Sequence, residues 1–265
     1  MQVFGSKVSW NNILWFSGMW LKLLLCTILV GCSQSRDYAL TIAVASNMQF
    51  AMEEIVTAFE RNTNLSCATV VSSSGKLTAQ ISEGAPYDVF VSADMKYPEV
   101  LFRTGLTKQQ PAVYAYGKLV MWSAIEGLQP SINQLLSSEV KHVALPNPKI
   151  APYGIAAMEV LKHHNILESI QKKLVYGENI SQTTQFIISK SAEIGFTAKS
   201  VVLSHQMNEK GSWVELDQNL YTPLAQGVVV LDNERCRLSN QFFDFLFSPE
   251  AREILQKFGY EVPDN

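Results

Sequence analysis

The sequence predicts an α/β protein of mainly parallel sheet flanked by helices, on three observations. Strand-like and helix-like patterns alternate from Leu40 to near the C-terminus, as in a parallel sheet wrapped by helices. One device recurs at residues 40–47, 68–75, 143–154 and 174–181: an apolar strand-like run breaks into a short Ser/Asn/Gly/Pro turn and then opens a helical pattern. The chain's 265 residues are 47% hydrophobic and only 17% charged, enough to bury a substantial core and to form two lobes.

Residues 40–45 form the first expected strand, and a helix follows over 48–61. Within it Phe50, Met52, Ile55, Val56 and Phe59 recur at three- and four-residue steps, a stripe that belongs to the core. A second strand over 67–72 runs into Ser72-Ser73-Ser74-Gly75 and a helix over 76–82. That turn is not a P-loop: Val70 stands where the motif needs its first glycine, and Leu77 where it needs Ser or Thr. Further strands are expected at 88–92, 119–122, 142–145, 193–197 and 227–231, with helices at 97–103, 155–164, 168–173, 183–190 and 239–247. Phe242, Phe243, Phe245 and Phe247 on the last helix read as core packing, with part of that face open to a partner. The chain has no long repeat or low-complexity linker, so a division into lobes requires strands that cross twice; 116–123 and 223–230 are the candidates.

Residues 19–31 are apolar apart from Lys22 and end in Leu29-Val30-Gly31-Cys32, which resembles the lipobox of bacterial lipoprotein signal peptides. The stretch is shorter than the ~20 residues of a spanning helix. The resemblance implies a signal over 1–32, cleavage before Cys32, lipid on its thiol and a chain tethered outside the cytoplasmic membrane. Either Met1 or Met19 is its start. Cys67 and Cys236 then remain, open to a disulfide or to separate burial as small apolar residues. A formal net charge of -3 and a pI near 5.8 exclude a basic surface excess, and with it nucleic acid as a partner. His142, His163, His164 and His205 lack zinc spacing. Asp88 and Asp94 read as a strand-boundary acid and a helix cap.

A helix opening leaves its first backbone N–H groups without partners and carries roughly half a positive charge. Four such openings converging would make an oxyanion socket that needs no cationic side chain. Ser46-Asn47 and Ser72 to Gly75 supply small polar groups at two of these turns. Lys76 beside the second is either an aid to the anion or a solvated first-turn lysine.

Several motifs, in order, resemble those of the molybdate-binding substrate proteins of ABC transporters. They are Val44-Ala45-Ser46-Asn47, Ser73-Ser74-Gly75-Lys76-Leu77, Gly84-Ala85-Pro86-Tyr87-Asp88, Pro152-Tyr153-Gly154 and Gly177-Glu178-Asn179-Ile180-Ser181-Gln182. The resemblance implies a two-lobed periplasmic-binding-protein fold of type II, each lobe a mainly parallel sheet flanked by helices, with the ligand in the interlobe cleft. Lobe I would comprise 38–118 and 226–265, and lobe II 119–225. It also implies a monomer that binds molybdate, and tungstate with it, without a cofactor, delivers the ion to a membrane permease and is no enzyme. Ser46 and Asn47, Ser74, Tyr153 and the Ile180 backbone N–H would hold the oxyanion, with no direct protein–metal bond. Some members use a tyrosine where Ala198 stands, so this chain resembles the branch that carries it in the Pro-Tyr-Gly turn. A binding protein for sulfate, thiosulfate or another small oxyanion is the near alternative. A serine-dependent hydrolase using Ser74 is the alternative from another class.

Overall fold

The computed structural model describes residues 38–107 and 109–263, with positions 2 and 5. The chain divides after Asp37. The segment before it carries the lipobox through Cys32, which lies outside the described residues. The body from Tyr38 onward carries both sheets.

The strands in chain order are β1 (Leu40–Ala45), β2 (Cys67–Ser72), β3 (Val89–Val91), β4 (Ala112–Gly117), β5 (Leu119–Ser123), β6 (Val143–Pro146), β7 (Leu174–Gly177), β8 (Ile194–Ala198), β9 (Ser212–Glu215) and β10 (Leu224–Val230). They form two five-stranded sheets, ordered β2-β1-β3-β10-β4 and β7-β6-β8-β5-β9. In the first, β1 runs parallel to β2 and β3, while β10 is antiparallel to both β3 and β4. In the second, β6 runs parallel to β7 and β8, and β5 is antiparallel to β8 and β9. The chain passes from the first sheet to the second at Lys118, within the expected 116–123, and returns between Glu215 and Leu224.

The longer helices are α1 (Gln49–Thr63), α2 (Ser74–Ser82), α3 (Lys96–Arg103) and α4 (Pro152–His163), followed by the short α5 (Leu167–Ile170), α6 (Ile180–Ile188), the short α7 (Lys199–Val202), α8 (Cys236–Leu246) and α9 (Pro249–Lys257). The expected stripe of α1 is buried, and Phe59 meets Phe242 of α8 edge to face at 5.2 Å. Strands β4, β7 and β9 are sheet edges. Their mixed, half-buried patterns carry a weak strand signal; strands at β4 and β9 were not expected from sequence, whereas β7 falls in the strand-like run expected at the start of 174–181. Helix α9 was also missed, although Ser248 caps it from Oγ to the Ala251 N–H and Pro249 opens it.

Asp88 is fully buried, pairs with Arg235 at 2.9 Å and accepts the Thr41 N–H at 2.6 Å. It anchors the start of β3 to β1. Asp94 accepts weakly from the Tyr97 N–H at 3.4 Å at the start of α3. Cys67 and Cys236 are both free thiols, Cys67 buried and Cys236 half-buried. Among the described residues no group of three or more His, Cys, Asp and Glu could hold a metal ion. No described helix is long and apolar enough to cross a membrane.

Candidate functional site

The four strand-to-helix turns meet at one small cavity. Its walls are Ala45, Ala93, Ala151 and Pro152, and its polar groups come from Ser46, Asn47, Ser73, Ser74, Tyr153 and Ile180. All five residues singled out from sequence line it together, and none is more than 4% exposed. The cavity is tight, about 10 Å³, at the lower limit for holding a single water molecule. None of its lining residues is an acid, a lysine or an arginine.

Each helix reaches the cavity with its first residues. A one-turn 3-10 helix opens at Ser46, α2 at Ser74, α4 at Pro152 and α6 at Ile180. The starts of α2, α4 and α6 lie two or three residues ahead of the positions expected from apolar periodicity. First-turn residues that face a polar cavity contribute nothing to an apolar stripe, so periodicity begins late. The N-caps Ala45, Ser73 and Ala151 make no side-chain capping bond. Helix α6 is capped by Asn179, whose Oδ1 accepts the Gln182 N–H at 2.9 Å. That cap reaches the third residue of the helix and leaves the Ile180 N–H to point elsewhere.

The Ile180 N–H donates to Ser46 Oγ at 3.0 Å, and the Ala93 N–H donates to Ser74 Oγ at 3.0 Å. A hydroxyl oxygen that accepts a backbone N–H keeps its own proton to donate. Tyr153 is 1% exposed. Burial, reinforced by Tyr260, Tyr221 and Tyr114, pushes its hydroxyl well above the ordinary tyrosine range against a small opposing effect of Asn47. It is therefore a neutral donor at any physiological pH, and it has no well-formed hydrogen bond among the described residues.

Asn47 differs from the expectation in one respect. Its amide nitrogen donates to Gln226 Oε1 at 2.7 Å and to Tyr260 OH at 2.9 Å, so both amide protons are engaged inside the protein. What Asn47 retains for an anion is its backbone N–H. Its carbonyl is held in turn by Ser200 Oγ at 2.7 Å and Tyr260 OH at 3.0 Å. Gln226 donates to the Ala93 and Leu224 carbonyls at 3.0 and 2.9 Å. Sequence reasoning missed Gln226, Tyr260 and Ser200. A lone amide inside the apolar run Leu224–Val230 was the one available signal. Gly117 was also missed: a Cβ there would lie 2.1 Å from the Tyr153 hydroxyl oxygen.

Lys76 is neither inside the cavity nor simply solvated. Its ammonium pairs with Glu178 at 2.6 Å, both side chains nearly half exposed. A larger hollow of about 320 Å³ lies between α3, α4 and the approach to β10, lined by Asp94, Glu159 and Leu224 among others. Its walls are mostly apolar and its two acids outnumber its one cation, Lys96, so it offers an anion no net positive charge.

Two open α/β sheets joined by two crossings, with helix N-termini converging on a closed polar cavity, define a two-lobed solute receptor of the periplasmic-binding-protein class. The chain belongs to the bacterial extracellular solute-binding protein family, whose profile matches residues 40–261. Membership sets its working place outside the cytoplasm. It is 37% identical over 220 residues to the molybdate-binding protein ModA of Rhodobacter capsulatus, covering 82% of this chain and 86% of that protein. Identity to ModA of Azotobacter vinelandii is 36% over 222 residues, 83% of this chain and 88% of that one. The structure of the Azotobacter vinelandii periplasmic molybdate-binding protein superposes with a TM-score of 0.81 at 33% identity, covering 85% of this chain and all of that one.

Proposed function

We propose that the protein captures molybdate, and tungstate with it, and delivers it to the permease of an ABC transporter. The observation that carries this reading is the closed cavity walled by helix N-termini and neutral donors, with no charged side chain. A dianion gains about 1.5–3 kcal/mol from each charge-assisted hydrogen bond. Neutral donors bring no buried cation whose desolvation must be offset. Hydroxyls of Ser46, Ser74 and Tyr153 with the Asn47 N–H, joined by the Ile180 N–H once the anion displaces its bond to Ser46 Oγ, make a shell sufficient for a Kd from roughly µM to nM after ordering losses. The molybdate-binding names of relatives matching more than four fifths of the chain support the choice of ion.

The proposed lobes are 38–118 with 226–265, and 119–225. The first carries Ser46, Asn47 and Ser74, and the second Tyr153 and Ile180, so an anion is satisfied only when both surround it. Binding then favours closure, which the permease reads. The protein acts as a monomeric carrier without a cofactor and not as a catalyst. All four histidines are exposed while Ser74 is buried, so no imidazole base sits at that serine. Lipid on Cys32 holds the chain at the membrane.

Calorimetry with a panel of oxyanions tests the ligand. Molybdate and tungstate should bind one ion per protein, with sulfate at least about 10-fold weaker. Equal affinity for sulfate would overturn the assignment. Cys32→Ser should release the protein from the membrane fraction or block its processing; a wild-type protein already free after export would refute the anchor.

A further inference from the structure

We propose that Ser73 is a further oxyanion-binding residue, donating its hydroxyl to the same ligand as its neighbour Ser74. The inference rests on the molybdate reading above and adds a contact that the family resemblance does not supply.

Ser73 is the N-cap of α2, with the extended backbone typical of that position. Its carbonyl accepts the Leu77 N–H at 3.0 Å and so begins the helix. A serine there ordinarily turns its hydroxyl onto the N–H of the second or third helical residue. Here it makes no such bond. One reason is visible at the second helical residue: the Gly75 N–H donates instead to the Ile150 carbonyl at 2.9 Å, in the turn that leads to α4. Gly75 permits that approach, since a Cβ would lie 3.0 Å from the Ile150 backbone. The Ser73 hydroxyl is thereby released from capping.

It does not turn to solvent. Ser73 is 2% exposed, its Oγ is buried without a partner among the described residues, and it lines the cavity. Buried hydroxyls are nearly always hydrogen-bonded, so an orphan in a cavity wall points to a partner that arrives from outside the chain. The position selects the partner's sign. A helix N-terminus carries partial positive charge, and α2, nine residues long, directs its own at this point. Ser74 Oγ already accepts from the Ala93 N–H, whereas Ser73 Oγ has both its proton and its lone pairs free. Two adjacent hydroxyls would then donate to different oxygens of one tetrahedral oxyanion.

Ser73→Ala in the full chain, titrated with molybdate by calorimetry and melted without it, tests the inference. Affinity should fall about 10-fold, while the melting temperature without anion holds or rises, because the substitution removes an unpaired buried group. A lowered melting temperature with unchanged affinity would make the hydroxyl structural and overturn the proposal, as would no change in either. If wild type binds no oxyanion, the molybdate reading fails and takes this inference with it. If wild type binds and Ser73→Ala binds equally, this inference fails alone.

Discussion

Tyr153 puts a buried neutral hydroxyl at the cavity wall, the kind of donor that the proposed anion shell requires. Its ring is core, its hydroxyl is held protonated by burial, and no group among the described residues takes its proton in a good hydrogen bond. Tyr153→Phe should weaken molybdate binding by about 1–3 kcal/mol with little change in melting temperature, since no internal bond is lost. Unchanged affinity would remove Tyr153 from the binding shell. Gly117→Ala should cost at least as much affinity and also lower the melting temperature. Its new Cβ would lie 2.1 Å from the Tyr153 hydroxyl and 2.8 Å from Gln226 Nε2, displacing two buried groups at once. The four turns were legible in the sequence because a strand breaking into a helix is a local pattern, whereas Ser46, Ser74, Tyr153 and Ile180 within them came from the resemblance to molybdate-binding proteins. Gln226, Tyr260 and Gly117 were not, because they act only through tertiary pairing. Asn47 and Tyr260 meet across 213 residues, and no spacing rule reaches that far.

At the scale of elements, strands buried on both faces announced themselves, while of the edges β2 and β7 were expected and β4 and β9 were not. β1, β3 and β8 are continuous buried apolar runs, whereas β9 alternates weakly at the margin of its sheet. That edge is tied down by charge. Burial opposes ionisation of Glu215, but the Lys199 ammonium at 2.6 Å and Lys118 at 3.5 Å hold its carboxyl below the usual range. The folded state therefore favours the charged form. The stabilisation is complete above the ordinary Glu pKa and disappears as pH falls through the depressed folded value. Glu215→Gln should lower the melting temperature at neutral pH, and the gap to wild type should close on acidification. A gap that persists at low pH would mean that packing, and not the ion pairs, is lost.

For the whole molecule, hydrogen bonds tie the turns of the two sheets to each other. Gly75 donates to Ile150, Ile180 to Ser46, and the Ser181 hydroxyl to Gln49 at 2.8 Å. The Lys76–Glu178 pair lies outside these, and exposed pairs contribute about 0–1 kcal/mol. Lys76→Gln should accordingly leave molybdate affinity within about 5-fold of wild type. A larger loss would make the lysine a ligand. Small-angle scattering should show wild type contracting as molybdate is added, and Tyr153→Phe contracting only at higher concentration. The two crossings behind that motion were partly readable: Lys118 falls inside an expected segment, while the return through residues 216–223 has no strand pattern to mark it.

The strand order also dictates when the protein can become active. Every strand of the second sheet lies within one stretch from β5 to β9, so that sheet can close as soon as the stretch has emerged. The first sheet cannot. β4 touches its own sheet only through β10, which is made after all of the second sheet. Such non-local pairing is slow to form and must wait for the late strand. Gln226 and Tyr260, which hold Asn47 in the cavity wall, arrive with that strand and with the last residues of the chain. A chain cut before β10 would thus display a finished second sheet yet lack the Gln226 and Tyr260 contacts that hold the Asn47 amide.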